Sequence, residues 1–289
     1  MALQLFHVDA FTDKLFSGNP AAVFILPEPR SPSWMQMAAR EMNLSESSFL
    51  LKAKDGFHLQ WFTPLIEVDL CGHGTLASAH VLYETGILKP HEKAQFFTLS
   101  GLLTASIKGG YIDLKGTPSS ASASHTVLSS TGRKGGYIEL DFPAIAETAV
   151  PVPPDMEKAI GASPKYVGKA GENLLVEIDS DETLRGLRPS MAFFRTLPEK
   201  GVIITSLSSK PEYDFVSRFF APRLGIPEDP VTGSAHAVLG PYWYKKLGKP
   251  VFKAYQASPR GGFLNVSLIQ DRVLLSGKAV TVYRGEWLE

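Results

Sequence analysis

The chain has a single cysteine among 289 residues. One thiol cannot close an internal disulfide, nor supply a multi-cysteine zinc or iron–sulfur site. An excess of one charge sign is also missing: 29 Lys and Arg face 29 Asp and Glu. Nucleic acids and anionic membranes select a basic surplus, so neither is expected as a partner. Hydrophobic runs are short, and none reaches the ~18 residues that cross a bilayer. The opening MALQLFHVDAF lacks the basic start and apolar stretch of a signal peptide. These absences predict a soluble, reduced, cytoplasmic protein. No G-x-x-x-x-G-K-[ST] or H-E-x-x-H occurs. His73 and His80 stand seven apart rather than the four of a helical metal pair, so no metal is expected.

What is present is ordinary globular material rich in turns. Hydrophobic residues are 44% and charged residues 20%, which excludes wholesale disorder. At ~150 residues per domain the length fits one large domain or two small ones. The 25 glycines and 21 prolines imply many turns and short strands. Strands are expected at residues 3–8, 21–26, 48–52, 57–62, 96–99, 102–107 and 111–114. Helices are expected at 33–42, behind the start signal Ser31-Pro32, and from Gly74 to Leu88. Further on, short helices are expected at 154–160 and 215–219 and a longer one over 233–247. Strands are expected at 173–178, 201–206, 251–258, 264–269, 272–276 and 278–283. Strands around an occasional helix, without a βαβ rhythm, read as α+β.

Two features of organisation stand out. Residues 117–133 hold six serines and three threonines, which is loop chemistry. They are bracketed by a near-copy, Lys108-Gly-Gly-Tyr-Ile-Asp-Leu114 and Lys134-Gly-Gly-Tyr-Ile-Glu-Leu140. This is either a surface hairpin or a tandem duplication with one copy displaced. The prolines of 141–154 make that stretch the best linker, giving domains 1–140 and 141–289.

A longer repeat carries more information. Trp61-Phe62-Thr63-Pro64 leads through Glu67 and Asp69 to Gly72-His73-Gly74-Thr75 and a helix. Phe219-Phe220-Ala221-Pro222 leads through Glu228-Asp229 to Thr232-Gly233-Ser234 and a helix. The helix glycine follows the proline by 10 residues in one copy and 11 in the other. Two similar domains are therefore expected, with two glycine-started helices pointing at a shared cleft. Helix N-termini present unpaired N–H groups and the positive dipole end, so this is an anion site. A carboxylate, an enolate-like intermediate or a phosphate would each satisfy it.

Other residues keep two readings. Gly72-His-Gly74-Thr-Leu-Ala77 matches the weak dinucleotide fingerprint G-x-G-x-x-A, but without the long strand and βαβ unit that nicotinamide binding needs. Cys71 is either a thiol activated by a helix start or a small buried apolar residue. His73 is a site residue or a capping group. Asp229-Pro230 is a site element or a turn, and Arg260-Gly-Gly262 a site element or a tight turn. Glu46 alone reads as a solvated turn residue.

Together the blocks resemble a known family. Asp9-Ala-Phe11, Gly18-Asn-Pro-Ala-Ala-Val23, Asn43-Leu-Ser-Glu46, Trp61-Phe-Thr-Pro64, Cys71-Gly-His73-Gly-Thr75, Glu228-Asp-Pro-Val-Thr-Gly-Ser-Ala-His236 and Arg260-Gly-Gly262 resemble the PhzF, or phenazine biosynthesis-like, family. The nearest likeness is to its eukaryotic members, and it spans nearly the whole chain. The Ser-rich stretch looks longer than is usual there. The resemblance implies a diaminopimelate-epimerase-like fold: two pseudo-symmetric domains, each a curved, mostly antiparallel sheet around a central helix. The last strand is expected to return to the first domain, and the protein to form a homodimer.

The resemblance also assigns roles. The acid/base glutamate falls on Glu46, and substrate-contacting catalytic groups on His73 and Asp229. Gly72, Gly74, Gly233 and Ser234 fall at the two helix starts, as substrate-binding positions. Cys71 resembles the first of the two catalytic cysteines of diaminopimelate epimerase; the second position falls near Pro230, so a two-thiol racemase is excluded. What is implied is a cofactor-independent isomerase or epimerase that moves a proton on a small carboxylate in the interdomain cleft. Glu46 would serve as base and then acid, its pKa raised by desolvation toward ~6–7. The alternative is a non-catalytic binding or regulatory protein that keeps an inherited cleft.

Overall fold

In the computed structural model, residues 3–108 and 136–288 are described. The Ser-rich stretch, the strand expected at 111–114 and most of the near-copy around it lie outside them. The chain divides into two compact units, Met1–Asp141 with Ser276–Glu289, and Phe142–Leu275.

The first unit begins with β1 (Leu3–Ala10) and β2 (Asn19–Leu26), an antiparallel pair. Helix α1 (Pro32–Met42) follows, as its start signal predicts: Ser31 Oγ accepts the Trp34 N–H at 3.2 Å and Pro32 occupies the first turn. Asn43 ends it in the left-handed region, φ 50°, and turns the chain into β3 (Glu46–Ala53). β3 runs parallel to β2, so Phe24 lies opposite Phe49 and their rings stack with centroids 4.8 Å apart. Trp34, Phe62 and Trp287 pack edge-on around that pair and complete a core with Met35 and Ala38.

β4 (Gly56–Phe62) pairs antiparallel with β3, and the short β5 (Glu67–Val68) folds back on β4. Helix α2 (Gly72–Glu84) comes next, then β6 (Ala94–Thr98), parallel to β4, and β7 (Gly101–Lys108). Residues 72 to 83 of α2 are all buried. The helix touches β1, β2, β3 and β7, which is why its sequence is apolar and small all round rather than amphipathic. β8 (Tyr137–Pro143) pairs with β7 and carries the chain into the second unit.

The second unit contains β9 (Thr148–Ala149), α3 (Met156–Ile160), β10 (Tyr166–Ala170), β11 (Asn173–Glu177), α4 (Asp181–Gly186), α5 (Met191–Thr196) and β12 (Gly201–Leu207). Then come β13 (Phe215–Ala221), β14 (Ile226–Asp229), α6 (Gly233–Leu247), β15 (Val251–Gln256), β16 (Gly262–Ile269) and β17 (Arg272–Gly277). The final strand, β18 (Ala279–Trp287), pairs antiparallel with β1 in the first unit.

The sequence repeat is a topological one. β2∥β3–β4, with β5 folded back and β6 parallel to β4 after a buried helix, reappears as β11∥β12–β13, with β14 folded back and β15 parallel to β13 after α6. The sheets are mostly antiparallel with these parallel pairs inserted, and the class is α+β. α6 is buried from Ala235 to Trp243 and contains Pro241, which has no N–H for the carbonyl four residues back. That carbonyl, on Ala237, instead accepts the Ile145 N–H at 3.1 Å.

One expected helix is a strand. Residues 215–219 belong to β13, which is buried at every position between β12 and the strands β14 and β15. With both faces covered, its apolar residues do not alternate, and a short continuous apolar run has no period to separate strand from helix.

Candidate active site

Glu46 is the first residue of β3, and its side chain is 12% exposed. Ser48 follows on the same face, and antiparallel pairing sets Trp61 of β4 opposite Ser48. The N-terminus of α2 meets this face. A Cβ on Gly74 would lie 2.7 Å from Ser48 Oγ, 2.8 Å from Trp61 Cδ1 and 3.0 Å from Cys71 Sγ. Glycine is required there by close approach.

The residue that caps α2 is Cys71, not His73. Its sulfur accepts the Gly74 N–H at 3.3 Å, and Thr75 Oγ1 donates back to the Cys71 carbonyl at 2.5 Å. His73 is buried within the first turn and reaches in two directions. Nδ1 stands 3.5 Å from Cys71 Sγ, and Nε2 stands 3.4 Å from Glu46 Oε2. Burial pushes its pKa from 6.5 down to about 3, so the imidazole is neutral at physiological pH. The expected site residues Glu46, Gly72, His73 and Gly74 are thus gathered at one helix start. The buried Ser48 Oγ and Trp61 Nε1 beside them have no hydrogen-bond partner among the described residues.

Glu46, Cys71 and His73 also offer an oxygen, a sulfur and a nitrogen within 4.8 Å of one another. Helical histidine spacing gave no sign of this, because the cluster forms across a strand and a helix start. One ring nitrogen, the sulfur and a carboxylate oxygen are mutually that close, so the three groups form a compact cluster rather than a row.

In the second unit, Asp229 ends β14 and is buried. Thr232 Oγ1 donates to its Oδ2 at 2.5 Å. Gln256 on β15 holds this turn together: its Oε1 accepts the Thr232 N–H at 2.8 Å, and its amide donates to the Asp229 carbonyl at 2.7 Å. Ser258 Oγ donates to the Pro230 carbonyl at 2.8 Å. Gly233 and Ser234 open α6 behind Thr232, whose side chain does not cap the helix because it is committed to Asp229. His236 is buried, with Nδ1 2.7 Å from the Thr232 carbonyl and its ring stacked on Phe215. Burial lowers its pKa to about 4, against a smaller upward pull from that carbonyl. Gly261 lies in the left-handed region at φ +65°, packed on the Tyr255 ring, so Arg260-Gly-Gly262 does form the tight turn between β15 and β16.

Ser48, Trp61, Thr232 and Gln256 were not singled out as site residues. Trp61 and Thr232 stood inside quoted motifs. Gln256 lies 24 residues from Thr232 and only the β13–β15 pairing brings it near.

The model of the PhzC-PhzF family, described as phenazine biosynthesis-like protein, matches residues 8–285. The chain belongs to this family. An uncharacterized isomerase of Halalkalibacterium halodurans is 46% identical over 289 residues, covering 100% of this chain and 99% of the relative. The human phenazine biosynthesis-like domain-containing protein is 40% identical over 305 residues, covering 99% of each. The bacterial relative is thus the nearer of the two, which corrects the eukaryotic leaning of the motif comparison. The crystal structure of a PhzF-family protein from Enterococcus faecalis superposes with a TM-score of 0.86 at 37% identity, over 100% of both chains. The fold is that of PhzF proteins and of the wider epimerase-like group, and the named relatives place this PhzF-family member among isomerases. No helix of the described residues is long and apolar enough to cross a membrane.

Proposed function

We propose that this PhzF-family member is a cofactor-independent isomerase that moves a proton between carbons of a small carboxylate, with Glu46 as the acid/base. The observation that carries the reading is the Glu46 carboxylate set 3.4 Å from the neutral imidazole of His73 at the start of a buried helix. Glu46 takes a proton from a carbon next to an electron-withdrawing group. The C–H electron pair delocalises into that group as an enolate-like anion. Glu46 then returns the proton at another carbon of the same system, so acid and base are one residue. His73, being neutral, contributes a hydrogen bond rather than a charge. The first N–H groups of α2, at Gly72 and His73, stabilise the substrate carboxylate or the developing anion. In the second unit the family resemblance assigns substrate contacts to Asp229, Gly233 and Ser234.

The test is exchange of carbon-bound hydrogen in D₂O, followed by proton NMR. The panel consists of amino acids, hydroxyanthranilate analogues and cyclic diene acids, with Glu46→Gln run beside wild type. Wild type should label or isomerise one class. Glu46→Gln should fold normally and lose about 10²–10⁴-fold in rate. Full turnover by Glu46→Gln on a substrate that wild type converts would refute the assignment.

A further inference from the structure

Gln256 ends β15 in the second unit and is fully buried. Two partners of its side-chain amide have fixed polarity. The Thr232 N–H only donates, and meets Oε1 at 2.8 Å; the Asp229 carbonyl only accepts, and meets Nε2 at 2.7 Å. Together they fix which end of the amide is the oxygen. The second Nε2 proton points to Thr232 Oγ1, at 3.1 Å. With that oxygen accepting, the single hydroxyl proton lies toward Asp229 Oδ2, at 2.5 Å. A carboxylate only accepts, so the line from the Gln256 N–H through the Thr232 hydroxyl to Asp229 has one polarity throughout.

The same hydroxyl stands at the N-cap of α6, where a threonine ordinarily accepts an N–H of the first turn. Here it makes no capping bond. The first unit has Cys71 at its equivalent N-cap, and that sulfur does cap α2. Strand register locates the difference. Five residues before Phe62 and Phe220 of the repeat, Phe57 pairs with Phe96 and Phe215 with Ala254. Two residues on, Gln256 therefore corresponds to Thr98, which donates instead to the Gly101 carbonyl at 2.8 Å. The unit with the glutamine is the one whose cap is diverted.

We propose that Gln256 is a positioning residue for Asp229: its amide directs the Thr232 hydroxyl away from the α6 N-terminus and onto the Asp229 carboxylate. The carboxylate is thereby held in one orientation, and Thr232 leaves the first N–H groups of α6 untaken. The arrangement is static and transfers no proton. Its consequence for turnover rests on the reading of Asp229 as a substrate contact; the direction of the hydroxyl does not.

A buried hydroxyl proton held by a carboxylate exchanges slowly with water and gives its own low-field resonance in a proton NMR spectrum. Wild type should show this resonance, with a nuclear Overhauser contact to the Gln256 side-chain amide. It should vanish in Thr232→Val, persist in Thr232→Ser, and move upfield or merge with water in Gln256→Met. Absence of the resonance from wild type overturns the proposal, as does a resonance that Gln256→Met leaves in place. If Gln256→Met does not fold, Gln256→Glu decides instead, because it keeps the acceptor for the Thr232 N–H and removes both donors. For the functional arm, Gln256→Met should lower Glu46-dependent proton exchange by about 10²-fold, as misplacement of a contacting group does. Adding Thr232→Val should change that rate by no more than about twofold, because both substitutions break one line. Losses that multiply, or a Gln256→Met rate equal to wild type, overturn the positioning role. If Asp229→Asn exchanges at the full wild-type rate, the substrate-contact reading fails while the resonance still tests the direction of the hydroxyl.

Discussion

Two buried histidines make the stability of this protein depend on pH in a window that no ordinary carboxylate reaches. His73 lies in the first unit and His236 in the second, and both are at most 2% exposed. Burial lowers their pKa values from 6.5 to about 3 and about 4. The unfolded chain therefore binds protons that the folded chain refuses. Since stability rises with pH wherever the unfolded state holds more protons, stability is complete above pH 6.5 and falls as the solution is acidified. Each histidine costs about 2 kcal/mol between pH 7 and pH 5, from 1.36 kcal/mol per unit of separation. Together they remove about 4 kcal/mol, a large part of an ordinary stability of about 5–15 kcal/mol. The lowered carboxyl of Asp181 does not interfere, because its contribution is lost only below its unfolded value of 3.8. The assay is urea unfolding at pH 7, 6 and 5. His236→Asn keeps an amide donor for the Thr232 carbonyl and should remove about half of the pH-dependent loss; His73→Gln should remove the other half. Unchanged stability between pH 7 and pH 5, or a His236→Asn variant with the full wild-type slope, would refute the reasoning.

Two further outcomes follow from packing. Gly74→Ala gains about 1 kcal/mol of helix propensity. It also drives a methyl to within 2.8 Å of Ser48 and Trp61, at about 1–3 kcal/mol. A net loss of about 1 kcal/mol and a fall in exchange activity are expected, and a stabilised variant would show that the β3–β4 face is not tight against α2. Thr232→Val removes the hydroxyl that donates to Asp229 at 2.5 Å and accepts from the Gln256 amide at 3.1 Å, at about 1–3 kcal/mol. Urea unfolding checks it, and a change below about 0.5 kcal/mol, the scatter of surface substitutions, would mean the pair is not formed.

Local chemistry was legible where one residue type dictates one conformation. Ser31-Pro32 placed α1, and a glycine start with an apolar helix placed α6 over Gly233–Leu247 as observed. The helices α4 and α5 were missed although Ser180 and Ser190 cap them. Each is only six residues long, too short for an apolar period to register. β13 was misread because covering both faces erases alternation. The site was legible as residue types carried by a family resemblance, but not as an arrangement. Glu46 and His73 are 27 residues apart, and only the meeting of the β3 start with the α2 start brings the carboxylate to the imidazole. Cys71 could be weighed only as apolar filler or reactive thiol, because a capping sulfur has no periodic signature.

The repeat supplies an internal control on what this site is for. Register equates Ser47, opposite Phe62 in β4, with Val202, opposite Phe220 in β13. One residue back, Glu46 corresponds to Gly201, and both open the parallel pairing of their strand, with Ala21 and with Asn173. One residue forward, Ser48 opposite Trp61 corresponds to Ile203 opposite Phe219. The second unit thus builds the same frame with glycine and isoleucine where the first has glutamate and serine. Its Gly201 is packed so closely by the Phe219 ring that a Cβ would lie 2.4 Å away, leaving no room for a carboxylate. The fold does not need a half-buried glutamate at the head of this strand, and burying one without full compensation is costly. A costly group present in one copy of a duplicated frame and absent from the other supports the proposed reading of Glu46 as a chemical rather than a structural group. Under the proposed mechanism this asymmetry has a direct consequence: the second copy of the frame has no carboxylate at the position of Glu46, so Glu46 itself takes and returns the proton.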